Sequence, residues 1–303
     1  MKTMHKFRSP KKQAEQALRY KFGIGESRHT NKQATDADKK VHSLGTMRNC
    51  IEALTRVATW IQDNRMGDLR GLTQETALRF LELRSQEVGQ KTLDQERLAM
   101  QLHLGTKLPK VSSEYEQVLK SRAYTKDQME MIAEAQTEKN ALATQIAYAA
   151  GLRAHELLTL QRQEERMAST HRSWANSRFT GRIGEIYTVK GKGGLIREVM
   201  IPTDLAKQLE AKRLVKPKII EDRTIQYQSH YDIGGGRDWS SSFTAASNRA
   251  VGWSNGAHGL RHSYAQARMS ELQQQGFSYE EALGLVSQCL GHFRPEITEV
   301  YLR

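Results

Sequence analysis

The sequence predicts a mostly α-helical chain with one small β-hairpin or sheet, laid out as a basic N-terminal arm, a helical domain and a larger α+β domain. Three observations predict this class. Apolar residues recur at helical spacing through most of the 303 residues, strict alternation is confined to a stretch around residue 190, and turn-forming residues gather after residue 104. A hydrophobic fraction of 38% over this length is enough for two cores.

The first 40 residues hold eleven Lys or Arg against four Asp or Glu, with Gly23 and Gly25 interrupting any apolar period, so residues 1–42 read as a basic arm. Met47, Ile51, Leu54, Ala58 and Ile61 then mark one face of a helix whose other face carries Arg48, Arg56 and Asp63. Ala77, Leu78, Leu81 and Val88 mark a second helix. Thr92-x-x-Gln95 has the form of a capping box opening a third, through Leu98 and Leu102, and together these make a helical domain over residues 43–104. Pro109, Ser112 and Ser113 identify a linker over residues 105–122, with a short helix around Tyr115, Val118 and Leu119.

The second domain, residues 123–303, opens with another capping-box pattern, Thr125-x-x-Gln128, before Met129, Ile132 and Ala133. An apolar helix follows from Ala141 to Ala150 and stops at Gly151. Between Gly184 and Pro202 the period changes to two on either side of Gly191-Lys-Gly-Gly194, as in a β-hairpin. Asp204 to Leu214 reads as a helix, residues 221–257 fit no single period, and helices return from His258 and over Tyr279 to Leu290.

With 46 Lys and Arg against 34 Asp and Glu, the formal charge of +12 favours a polyanionic partner over an acidic small molecule. Cys50 and Cys289 are far apart and define no disulfide framework, which fits a reducing cytoplasm. Met1 to Lys12 lacks the apolar core of an export signal, and no run approaches the ~20 apolar residues of a membrane span. A soluble, cytoplasmic protein is expected.

Several side chains stand out chemically. Arg153 and Arg261 lie on apolar segments, and a guanidinium offers a planar fork for two phosphate oxygens; the ordinary alternative is a structural ion pair such as Arg153 with Glu156. His258, His262 and His292 can accept or donate protons near neutrality. With Cys289 they also count as four zinc ligands, although Arg261 on nearly the same face as His258 would set a cation beside the metal. Lys190 and Lys192 sit at the hairpin tip, where an ammonium could protonate a leaving oxygen or merely be solvated. No Gly-x4-Gly-Lys-Ser/Thr exists, so a nucleotide is not implied.

Taken together, Gly151-Leu-Arg153-Ala-His-Glu156-Leu, then His258-Gly-Leu-Arg261-His262, then Leu290-Gly-His292 followed nine residues later by Tyr301, resembles the tyrosine recombinase (phage integrase) family. The resemblance covers residues 123–303 as a catalytic domain; residues 43–104 are similar in pattern alone to the family's SAM-like core-binding domain. It implies Arg153 and Arg261 as phosphate-binding arginines, Glu156 as the carboxylate orienting the first of them, Lys192 (better placed than Lys190) as the hairpin lysine, His258 and His292 as catalytic imidazoles with His262 in support, and Tyr301 as nucleophile. It implies a site-specific recombinase or integrase of a mobile element, working on double-stranded DNA as a homotetramer across two sites, with an accessory DNA-bending protein as a further partner, no metal or other cofactor, and a place at the bacterial nucleoid. A type IB topoisomerase-like enzyme and a catalytically silent DNA-binding regulator are the alternatives. Two features depart from the family: residues 161–182 and the Gly234 region are expected as added loops contacting DNA or a partner, and the chain ends two residues after Tyr301, where relatives continue into a segment docking on the next protomer. If that end is native, cyclic assembly uses other surfaces.

Overall fold

The computed structural model describes residues 8–23, 33–115, 121–191 and 193–303, and divides into two compact units, Met1–Val118 and Leu119–Arg303. Among the described residues no helix is long and apolar enough to cross a membrane.

In the first unit α1 (Pro10–Ala17), α2 (Leu44–Asp63), α3 (Gln74–Ser85) and α4 (Gln90–Leu104) enclose one core. α2 is its spine: Met47, Cys50, Leu54, Val57, Ala58 and Ile61 are buried along one face, as their spacing requires. α3 is capped by Thr73, whose side chain accepts from the Thr76 amide at 3.1 Å. α4 differs from expectation, because its N-cap is Gly89 and Thr92 falls inside its first turn.

The basic arm also differs. Ala14, Leu18 and Val41 are buried in the core and α1 packs on α2, so much of residues 1–42 belongs to the helical unit. The surrounding lysines and arginines hid two small apolar contacts spaced i, i+4. The first part of the expected linker is likewise attached: Leu108 is buried, and Gln90 donates to the Val111 carbonyl at 3.1 Å and accepts from the Ser113 amide at 2.8 Å. Most of the short helix expected near Tyr115 lies outside the described residues.

The second unit begins with α5 (Lys126–Glu134), α6 (Glu138–Ala150) and the single turn α7 (Ala154–Leu157). The Thr125–Gln128 capping box is present at the start of α5. Three antiparallel strands follow in order: β1 (Gln161–Arg162), β2 (Glu185–Lys190) and β3 (Ile196–Ile201), with Lys190 opposite Ile196. The hairpin read from alternation is therefore β2–β3. Val189, Val199 and Ile201 face the core shared with Ile146, Leu157, Trp239 and Phe243. Trp239 is fully buried and donates to Thr144 Oγ1 at 3.1 Å; truncating it to alanine would cost about 3–5 kcal/mol.

Beyond α8 (Thr203–Ala211) the chain forms an unexpected second hairpin, β4 (Arg213–Asp222) and β5 (Ile225–Tyr231), in place of the end of the helix drawn to Leu214. Arg223 and Thr224 make its turn with positive φ (53° and 65°). Its alternation is blurred because Val215, Ile219 and Ile225 are exposed, and a bulge between Arg213 and Lys218 shifts the register. Gly234-Gly-Gly236 leads into α9 (Gly236–Val251). Then come α10 (Gly259–Gln274), α11 (Tyr279–Cys289) and α12 (Pro295–Thr298), with a 3-10 turn at Glu299–Tyr301 closing a smaller core of Ala265, Leu272, Val286 and Leu290.

Candidate active site

Where α6 ends, Gly151 adopts the left-handed conformation (φ +62°) and passes so close to Tyr264 that a Cβ there would lie 2.5 Å from the ring. This tight exit starts α7, whose N-cap is Arg153. Glu156 turns back to accept from the Arg153 amide at 2.9 Å and from Arg153 Nη1 at 2.7 Å. Oε2, the oxygen that takes the amide, also receives Arg197 Nη2 at 2.8 Å and lies 3.9 Å from Arg261 Nη1, while Oε1 takes Arg153 Nη1. One fully buried carboxylate thus serves three guanidiniums, of which Arg153 keeps 24% of its side chain exposed while Arg197 and Arg261 keep 1% and 0%.

Arg261 lies in the first turn of α10 and donates to the carbonyls of Gly151 and Leu290; Arg197, from β3, donates to the Cys289 carbonyl at 2.7 Å. Two of these acceptors are at the end of α11, where unpaired carbonyls and the helix dipole favour cations. Burial would raise the Glu156 carboxyl, but the charges of Arg197, Arg261 and Arg153 outweigh it and hold it well below the usual carboxylate range. Burial and the Arg153 charge push the Arg261 guanidinium down to about 9, which leaves it protonated at neutrality.

His292 Nε2 lies 3.2 Å from both Arg153 Nη2 and Arg261 Nη2. Guanidiniums only donate, so Nε2 accepts and the proton resides on Nδ1, 3.1 Å from Thr298 Oγ1. Burial, then the charges of Arg261, Arg153 and Arg197, push His292 down to about 3.

Tyr301 completes the group. Its hydroxyl is 3.1 Å from His258 Nε2, and its ring lies 4.6 Å from that of His262, 5.2 Å from His292 and 5.7 Å from the Arg261 guanidinium. Gln266 fixes this end of the chain by donating to the carbonyls of Tyr301 (3.2 Å) and Arg303 (2.9 Å). Burial and Arg261 push His258 down to about 4, and burial and Arg122 do the same to His262, so both imidazoles are neutral near pH 7.

The fold therefore gathers Arg153, Glu156, His258, Arg261, His262, His292 and Tyr301 in one place. Lys192 lies outside the described residues. Its neighbour Gly191 reaches the site, for a Cβ there would meet Glu156 Oε1 at 3.3 Å, while Lys190 is exposed. Cys289, counted with the histidines as a possible zinc ligand, is buried with its thiol 3.4 Å from the Arg178 carbonyl; among the described residues no three His, Cys, Asp or Glu side chains gather as a metal site. Arg197 was not foreseen. A signal existed, since it shares the inward register of β3 with Val199 and Ile201, where a charge must find a partner.

No protein-family model and no curated protein matches the chain in sequence. Solved structures do match in shape. The XerH site-specific recombinase bound to palindromic difH substrate, in a post-cleavage complex, has a TM-score of 0.55 at 17% identity, covering 99% of this chain and 94% of that one. The pre-cleavage complex of XerH with difH gives 0.54 at 19%, with the same coverage. A lambda integrase tetramer bound to a Holliday junction gives 0.51 at 15%, covering 95% and 80%. At these similarities over nearly the whole chain, the chain has the tyrosine-recombinase fold.

Proposed function

We propose that the protein is a site-specific DNA recombinase or integrase that cuts and rejoins DNA through a 3′-phosphotyrosyl intermediate. The observation that carries this reading is the Tyr301 hydroxyl 3.1 Å from a neutral His258 Nε2, with its ring against Arg261. A phenol of pKa ~10 is almost wholly protonated at neutrality, so attack on phosphorus needs a base. His258 takes the phenolic proton as the bond from Tyr301 to phosphorus forms. Arg153 and Arg261 hold the non-bridging oxygens and meet the charge that grows on them, with His292 bridging the two guanidiniums. The bond from phosphorus to the 5′-oxygen breaks, and the hairpin lysine, Lys192 or its neighbour Lys190, protonates the leaving oxygen. Because the tyrosyl phosphodiester retains the energy of the original bond, a 5′-hydroxyl from a second duplex reverses the step and exchanges strands without ATP.

The partner in this reading is double-stranded DNA, consistent with the +12 charge, and two paired sites call for four protomers. The place of action is the bacterial nucleoid. Guanidiniums supply the charge stabilisation that a metal would otherwise provide, so EDTA leaves cleavage intact.

A suicide substrate that traps the covalent intermediate tests the proposal. The parent protein should yield an SDS-resistant DNA adduct, whereas Tyr301→Phe should yield none and still bind DNA nearly as well, since it removes one hydroxyl from a large charged surface. An adduct formed by the Phe variant would assign the nucleophile elsewhere, and inhibition by EDTA would point to a metal.

A further inference from the structure

The stretch after β1 contains a cation that the chemistry above does not use. Arg166 turns back over the sheet: Nη2 donates to the Thr159 carbonyl and, at 2.9 Å, to the Thr188 carbonyl, while Nε donates to Thr188 Oγ1 at 3.1 Å. Among the described residues no carboxylate pairs with it, and burial pushes its guanidinium down to about 10. A partly buried cation with neutral partners is costly, and the three bonds that compensate it converge on two points.

Both points lead to the active site. Thr159 lies three residues beyond Glu156 and donates its hydroxyl to the Glu156 carbonyl at 2.9 Å. Thr188 is fully buried in β2, two residues before Lys190. Thr159 Oγ1 links them by accepting the Lys190 amide at 3.0 Å. Arg166 and Thr159 therefore tie the last residues of β2 to the turn bearing Arg153 and Glu156, just before Gly191 comes against Glu156.

We propose that Arg166, through Thr188 and Thr159, is a positioning residue that sets the β2–β3 tip where its lysine can protonate the leaving 5′-oxygen. This rests on the assignment of the hairpin lysine as the acid. In cleavage the bond from phosphorus to the 5′-oxygen breaks and that oxygen takes a proton from the ammonium. With sulfur at the 5′ bridge the group leaves as a thiolate and needs no proton. A defect in placing the acid should then be repaired by sulfur, while a defect in holding the phosphate should not.

The experiment compares adduct formation on oxygen and 5′-thio suicide substrates. Arg166→Met keeps the bulk and removes the donors; it should slow cleavage of the oxygen substrate by about 10- to 10²-fold and approach the parental rate on the sulfur substrate. Thr159→Val, which deletes only the hydroxyl link, should show the same sulfur-specific recovery and decides the matter if Arg166→Met does not fold. Arg153→Ala should stay slow on both. Equal slowing of Arg166→Met or Thr159→Val on both substrates, or no slowing on oxygen, overturns the positioning role. Lys192→Ala and Lys190→Ala separate this from the underlying assignment: if neither recovers with sulfur the lysine reading fails, and if one recovers while the Arg166 and Thr159 variants do not, only the positioning inference fails.

Discussion

Glu96 in the helical unit and Glu156 in the second are both fully buried carboxylates held by arginines, yet only one lies in the proposed active site. Glu96 receives Arg56 Nε at 2.9 Å and Arg84 Nη2 at 3.1 Å, but these side chains are 44% and 21% exposed and reach to water. Around Glu156, two of the three guanidiniums have almost no exposed surface. The first is a staple between helices whose charges are solvated at one end. The second keeps more positive charge than its single carboxylate neutralises. Buried arginine alone is an ambiguous sign of function; positive charge left uncompensated beside a phenol and neutral imidazoles is a specific one.

The largest effect that tests this contrast is expected from Glu156→Gln. It leaves Arg197 and Arg261 buried without their anion, so stability should fall by about 3–5 kcal/mol, and the displaced guanidiniums should slow adduct formation per folded molecule on the order of 10²-fold. Urea unfolding and single-turnover cleavage measure the two; intact cleavage would make Glu156 a staple like Glu96. Glu96→Gln should cost less, about 1.5–3 kcal/mol, since Arg56 and Arg84 can turn to solvent, and should leave cleavage per folded molecule unchanged. A matching loss of cleavage would erase the distinction between the two carboxylates.

A smaller effect concerns acid. Burial pushes down His103 in the helical unit and, in the second, His155, His230, His258, His262 and His292. An unfolded imidazole takes its proton near pH 6.5, whereas folded His258 and His262 refuse it until about 4 and His292 until about 3. The unfolded chain thus binds more protons in between, and stability present above pH 6.5 is lost as pH falls toward 4. Thermal unfolding from pH 7.5 to 5 should show a falling Tm, less steeply in His262→Gln. A Tm that rises on acidification contradicts the neutral imidazoles.

Arg153, Glu156, Arg261 and Tyr301 were legible because their spacing is local or tied to short patterns of fixed order. Arg197 was not, since its partner is 41 residues away and only the register of β3 places it inward. β2–β3 showed in the sequence because β3 buries every second residue, whereas β4–β5 did not because exposed apolar residues and a bulge remove the alternation. The buried part of α1 was hidden for a third reason, two small contacts inside a strongly charged stretch.

The arginine cluster has a consequence for binding itself. Three guanidiniums and one carboxylate leave the pocket with two surplus positive charges, and these help keep its histidines unprotonated. A phosphate lodged against Arg153 brings negative charge to that place, which raises the proton affinity of the imidazoles around it. In the proposed reaction the substrate's own phosphate therefore makes His258 a stronger base for the Tyr301 proton than it is in the free protein, so that docking itself readies the group that activates the nucleophile.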